Sequence, residues 1–388
     1  MTLLVDLGQV PAACCNDHLE DLAKAIAEGP GGHDIWAPLE NRFARYVCEQ
    51  FTARFSAILG AMEAALRQFI AGDTSGLQKA EVPWLRWDEA RFQEVRMYLE
   101  TRDPAAMSMD DWSLLLEYLI NRYLPPGVIE READFLAVRA VLMGKIQANL
   151  ETDHRLTDPM LETLTALLPT RFAHVPLRVL SPIEIAILEY GRAHAAENIR
   201  SVTESARHRM ATIVLEHTQA GILGQPGGGW QYAETRLFDA YGALNRDMRR
   251  IAVTESGELT NQGYIVASGT GKRVKRVEAY RGACDFCASI NGKIFTIVPA
   301  DAPNKDGATQ IWPGKTNIGR SASPMKRVGT ALVEREPHEL WWPASGVQHP
   351  NCRGAWMPVT DRPPAVSREF FDLTQDLLDR ATKVRPAA

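Results

Sequence analysis

Apolar side chains recur every three or four positions through residues 35 to 71, in IWAPLENRFARYVCEQFTARFSAILGAMEAALRQFIA, with Pro38 near the start and Gly72 just after the end. That period predicts a long amphipathic helix, with Gly60 as the point where it would break. The same spacing returns over residues 87 to 99, 110 to 124 and 129 to 150. Ser108 or Asp110 is placed to cap the second of these runs, and Pro125-Pro126 stops it. The first 170 residues therefore read as almost wholly helical.

An irregular link, LPTRFAHVPLRVLSP, leads into another helical run over residues 183 to 217, with Ser181-Pro182 in the cap and first-turn positions. A glycine cluster between Gly221 and Gly229 cannot hold a helix, and helical spacing resumes over residues 231 to 264. Two long helices joined by a short turn predict an antiparallel pair. Beyond Gly269 the helical period disappears. Residues 273 to 280, RVKRVEAY, alternate as a strand does, and Asn291-Gly292 before KIFTIV signals a tight turn into a second strand. Residues 367 to 383 form a last amphipathic stretch, free to dock elsewhere. No internal repeat is present.

Composition agrees with a globular chain: 45% of residues are hydrophobic and 23% charged, which is enough apolar material for more than one core. No run approaches the ~18 to 20 apolar residues that span a bilayer, since residues 112 to 124 are broken by Glu117, Asn121 and Arg122. A membrane protein is excluded on that ground. The N-terminus has no Lys or Arg before Lys24 and only a short apolar run, so it does not read as a secretory signal. Synthesis and folding in a cytoplasm are expected, where cysteines stay thiols or metal ligands.

Of six cysteines, Cys14, Cys15 and Cys48 look like incidental small apolar residues. The other three form a pattern. Cys284-Asp285-Phe286-Cys287 puts two thiols on one tight turn, and after 61 intervening residues His349-Pro350-Asn351-Cys352 supplies an imidazole and a third thiol. Three Cys and one His make a closed tetrahedral zinc set, because paired donors at i and i+3 on two turns reach one ion. Zn2+ held by Cys284, Cys287, His349 and Cys352 would be structural, with no open position for water. The alternative is unrelated thiols, or a CxxC in redox exchange. The expected fold class is mostly α, long amphipathic helices followed by a small zinc-stapled α+β domain. Its parts would be a helical domain over 1–170, a long helical pair over 182–266, the zinc-stapled domain over 267–362 and a C-terminal helix over 363–388.

The runs ACDFCASINGKIF, IWPGKTNIG and above all QHPNCRG resemble the C-terminal part of the phage Mu F-like head morphogenesis proteins, the minor head proteins. The helical approach RDMRRIAVTESGELTNQGYIV, with Thr254 and Glu255, is similar to the same family's segment before the cysteines. The resemblance covers roughly residues 182 to 359. The family often reads HPNCRC, and Gly354 stands here in place of its last cysteine; the set of four donors is complete without it. The resemblance implies a structural component of the virion, made in the host cytoplasm. It would engage the portal protein and capsid components, act in head assembly and DNA packaging or ejection, and have no catalytic residue.

Two enzymatic readings fail on the same residues. His338-Glu339 opens like HExxH, but Trp342 takes the place of the second histidine. A deaminase needs HxE ahead of its PCxxC, and here the CxxC comes first. A treble-clef nuclease of the HNH kind, with His338 as base, is the alternative function. Nucleophile elbows and phosphate loops are absent, and GTGK at residues 269 to 272 lacks Walker A spacing.

Charge adds one expectation. Residues 271 to 327 carry eleven basic side chains against four acidic ones, a local +7 that leaves −12 for the rest of a chain whose net charge is −5. Lys272, Arg273, Lys275, Arg276, Lys315, Arg320, Lys326 and Arg327 are the candidates for contact with double-stranded DNA or an acidic partner. The other reading is a solvated basic face. Four of the nine tryptophans, Trp312, Trp341, Trp342 and Trp356, fall in the same region and are expected to pack its core.

Overall fold

The computed structural model describes residues 39, 41–77, 87–150, 156–224, 230–280, 282–359 and 368–383. The described residues are 65% helix, with their sheet in a small C-terminal region. Among the described residues seven α-helices come first: α1 (Arg42–Ile70), α2 (Glu89–Glu100), α3 (Met109–Tyr123), α4 (Pro126–Leu150), α5 (Asp158–Leu167), α6 (Pro182–Ile222) and α7 (Trp230–Ser268). Then follow β1 (Arg273–Val277), α8 (Asp285–Ile290), β2 (Ile294–Ile297), β3 (Gln310–Ile311), β4 (Met325–Val328), β5 (Ala331–Glu334), β6 (Ala355–Pro358) and α9 (Arg368–Lys383).

Helix starts are set by the caps. Asn41 accepts from the Phe43 amide, Ser108 and Asp111 form a reciprocal capping box on α3, and Ser181 with Glu184 forms another on α6, where Pro182 takes the first helical position. α1 does not break at Gly60. That residue faces open space, while Phe43, Val47, Phe51, Phe55, Leu59, Met62, Leu66 and Phe69 make one continuous buried stripe. The expected start of this helix at residues 35 to 38, and the glycine turn at residues 225 to 229, lie outside the described residues.

α4 is buried on nearly every side, packed by α1, α6 and α7. Its charged groups tolerate this because each has a partner. Glu132 takes both arms of Arg54, at 2.7 and 2.6 Å, and Lys145 donates to Glu184 at 2.9 Å and to the Val179 carbonyl at 2.6 Å. Asp134 pairs with Arg192, and Arg139 reaches Gln50. Two glycines permit the close crossing of α4 and α7. A Cβ on Gly144 would run into the Thr260 carbonyl, and a Cβ on Gly263 into that of Val141.

One apolar core extends from Leu39 to Leu259 and takes in Phe370, Leu377, Leu378 and Ala381 of α9. The regions 1–170 and 182–266 therefore share a core rather than having one each. α9 docks on this core, beside α5. A second, small core joins Tyr264 and Ile265 at the end of α7 to Val274, Phe295, Ile297, Ile311 and Trp356. These come from a four-stranded sheet of order β3-β2-β1-β6, in which β1 runs antiparallel to both β2 and β6 and β2 runs parallel to β3. Gly292, at φ 78°, makes the left-handed turn before β2 that Asn291-Gly292 signalled. β4 and β5 form a separate two-stranded hairpin that the sequence pattern did not predict.

Candidate metal centre

Three pieces of chain converge beside this sheet. Cys284 is the N-cap of α8, its sulfur accepting from the Cys287 amide at 3.5 Å, so the CxxC spacing turns both thiols toward the same point. The HPNC turn supplies the other side. Asn351 takes a left-handed conformation (φ 63°), and the Cys352 amide donates back to the His349 carbonyl at 3.1 Å. His349 Nδ1 lies 2.8 Å from the Pro350 carbonyl and is placed to donate to it, which leaves Nε2 to face the thiols.

His349 Nε2 is 3.4 Å from Cys284 Sγ and 3.3 Å from Cys287 Sγ, and Cys287 Sγ is 4.0 Å from Cys352 Sγ. The four residues that the spacing singled out thus form one cluster, in which Cys287 and Cys352 are fully buried. The donors of Cys284, Cys287 and His349 lie within 4.8 Å of one another, as do those of Glu278, Cys287 and Cys352. This Cys/His group can hold a metal ion. The ring of Trp341 stacks on His349 at 5.4 Å, with Phe286 edge-on to Trp341 at 5.5 Å, and the two rings cover the imidazole.

The electrostatics favour anionic sulfur at Cys284 and Cys352. Hydrogen bonding from Cys287, helped by His349, holds the Cys284 thiol down to about 4. Burial alone would raise Cys352, but the Cys287 hydrogen bond and the Arg276 charge outweigh it and hold Cys352 well below its ordinary value. Cys287 is pushed upward by its hydrogen bonding with the Cys284 and Cys352 sulfurs and by burial. Glu278 is raised to about 7 by burial, against the pull of Arg276.

Arg276 is the group that sequence reasoning misplaced. Counted among the exposed cations, it is fully buried. Its Nε donates to Glu278 at 2.7 Å, Nη1 to the Gly346 carbonyl at 3.1 Å and Nη2 to Cys352 Sγ at 3.6 Å. Strand parity explains the placement. Val274, Arg276 and Glu278 point inward while Arg273 and Lys275 point out, so the alternation already distinguished them. Lys315 is likewise withdrawn from any basic surface. It is 1% exposed, donates to the carbonyls of Gly307 and Gln310 at 2.7 and 2.9 Å, and lies between Trp312 and Trp342.

The remaining candidates differ. Arg320 stacks on Trp342 at 3.6 Å and donates to the Leu340 carbonyl, and Lys326 is paired with Glu339 at 2.6 Å. Lys272 is half-buried, and Arg273, Lys275 and Arg327 are exposed. The eight cations do not make one continuous face. His338 is exposed in a short 3-10 turn, and no metal-ligating group among the described residues includes it. Of the tryptophans, Trp356 is fully buried in the small core and Trp312 nearly so, while Trp341 and Trp342 are half-buried around the cluster and Lys315.

One row of residues on α7 anchors the cluster and was not singled out by spacing. Thr254 Oγ1 accepts from the Asn351 amide at 2.8 Å, and Glu258 accepts from the Val347 amide at 2.6 Å. Asn261 donates to the Gly354 carbonyl at 3.0 Å, and Gln262 accepts from the Gly314 amide at 3.0 Å. Positions 254, 258, 261 and 262 share one helical face, so the polar stripe in TESGELTNQ was the available signal. No helix among the described residues is long and apolar enough to cross a membrane. Comparison with family models, curated protein sequences and solved structures finds no match, so the site is read from its own chemistry.

Proposed function

We propose that the chain is a phage minor head protein whose C-terminal module is stapled by one structural Zn2+, held by Cys284, Cys287, His349 and Cys352. The observation that carries the zinc assignment is the spacing of the donors. A tetrahedral ion at ordinary Zn–S and Zn–N lengths sets its ligands about 3.5 Å apart for S···N and about 3.8 Å apart for S···S. Three of the six edges of the cluster measure 3.3, 3.4 and 4.0 Å, with Cys352 joined to the other donors through Cys287. Three thiols and one imidazole suit zinc better than hard cations, which take oxygen donors. With all four positions filled by protein, the ion staples two turns and offers no water for catalysis.

The head-protein reading rests on the resemblance of ACDFC, IWPGK and QHPNCRG, together with the way those segments meet in space. The approach helix that shares the resemblance is α7, and its Thr254 holds the HPNC turn directly. Portal and capsid proteins are the partners this reading gives, with packaged double-stranded DNA as a further one. DNA contact would fall on the exposed Arg273, Lys275 and Arg327, because the other five cations are buried, half-buried or engaged.

The test is mass spectrometry of purified DNA-filled particles and of empty precursors from one lysate. A small fixed copy number in both is expected of a minor head protein assembled early. Absence from both would remove the structural reading and bring the nuclease alternative forward.

A further inference from the structure

The cluster has five donors, one more than a tetrahedral ion uses. The fifth is Glu278, whose side chain is 0% exposed and whose two carboxylate oxygens both lie 3.7 Å from Cys352 Sγ. Its oxygens are not equivalent. Oε1 accepts from Arg276 Nε at 2.7 Å, whereas the one partner of Oε2 among the described residues is the Cys352 thiol. A Glu278 oxygen and the sulfurs of Cys287 and Cys352 lie within 4.8 Å of one another, close enough to share one ion.

The donors divide into two overlapping groups, Cys284 with Cys287 and His349, and Glu278 with Cys287 and Cys352. Cys287 belongs to both. Cys284 is the outermost thiol of the cluster, only part-buried where Cys287 and Cys352 are fully buried, and it and His349 both lie outside the Glu278 group, to which Cys287 links them. Gly354 leaves room for the carboxylate, since a Cβ at that position would collide with it. Arg276 supplies the compensating charge, tying Glu278, Cys352 and the Gly346 carbonyl together.

We infer that Glu278 is a reserve ligand of the metal centre, a carboxylate that takes up the ion on the Cys352 side when the Cys284 thiolate is lost. The inference rests on the metal reading above and adds to it a second coordination state, with three sulfur or nitrogen donors and one oxygen. Zinc accepts carboxylate oxygen at lengths close to those for imidazole, so the exchange needs only a small movement of the ion within the cluster.

The experiment compares Co2+ and Zn2+ content, by elemental analysis and by the Co2+ visible spectrum, in the full-length protein and four variants. Wild type, Cys284→Ser and Glu278→Gln are each expected to hold about one equivalent, since each keeps at least four donors, the shared Cys287 among them. The Co2+ spectrum of Cys284→Ser should lose thiolate charge-transfer intensity relative to wild type. The double variant Cys284→Ser/Glu278→Gln and the shared-ligand variant Cys287→Ser should hold almost none. This non-additivity is the signature of the exchange, and metal retention in both single variants shows that each still folds. Metal-free Cys284→Ser, metal-free Glu278→Gln, or a double variant as full as the singles would each overturn the inference while leaving the metal centre in place. A wild-type protein that takes up neither ion would instead remove the metal reading itself.

Discussion

Replacing Gly144 by alanine tests the α4–α7 crossing that underlies the whole arrangement. The added Cβ would meet the Thr260 carbonyl far inside contact distance and the Tyr264 amide nitrogen at 2.8 Å. Ordinary contact begins near 3.4 Å, so α7 must retreat by at least roughly 0.6 Å from α4, against backbone atoms that cannot rotate away. Overpacking of this kind costs about 1–3 kcal/mol, and the better helix propensity of alanine returns up to about 1 kcal/mol. A net loss of about 1–2 kcal/mol is expected in urea unfolding followed by circular dichroism. Gly60→Ala is the matched control, since nothing lies within 4 Å of its added Cβ. It should stabilise by about 0.5–1 kcal/mol. Because Thr254 and Asn261 on α7 hold the HPNC turn and Gly354, Gly144→Ala should also weaken metal retention against a competing chelator. Equal effects of the two alanines on stability would refute the close crossing.

Other outcomes follow from the same contacts. Chelation should unfold the sheet region while sparing most helical signal, with a change in tryptophan fluorescence because Trp341 stacks on His349; free zinc at a thousand times its Kd should restore about 4 kcal/mol to that region. Burial depresses Lys315 to about 7 in the folded protein, below its ordinary 10.5, so the unfolded chain binds more protons between those values. Stability should rise with pH across that window, and Lys315→Met should flatten the rise in thermal melts. Charge reversal at Arg273 and Lys275 should weaken DNA retention and lower its salt dependence, whereas an unchanged mobility shift would exclude the outward sheet face from DNA contact. A fragment lacking residues 1–170 should fail to keep its helical content, because α1 and α4 complete the core on which α6 and α7 pack.

The sequence made the helices legible where a single face is buried and a cap marks the start. Ser108, Ser181 and Pro182 placed their helices to within a residue or two. It was less informative about α4, whose apolar residues surround the helix, so period alone could not say that it is central. The metal quartet was legible because i, i+3 spacing on a tight turn leaves few arrangements. Glu278 and Arg276 were harder to see. Both come from a strand that reads as cationic and exposed when its charges are summed, and only the inward parity of positions 274, 276 and 278 distinguishes them. Lys315 sits in a loop where no period applies, and its burial between Trp312 and Trp342 depends on contacts formed by residues distant in the chain. The hairpin of β4 and β5 is similarly local and short, with Val328 and Leu332 largely exposed, so no buried face left a mark in its pattern.

α7 contributes to both apolar cores, to the larger as far as Leu259 and to the smaller from Tyr264, without a break in the helix between them. Mechanically it is a beam set in two footings. A pull on the C-terminal module is carried into α7, which bears on α4 at the Gly144–Gly263 crossing. Tension at one end should therefore appear as shear in the middle of the helical body, so that the two parts yield together in a pulling experiment.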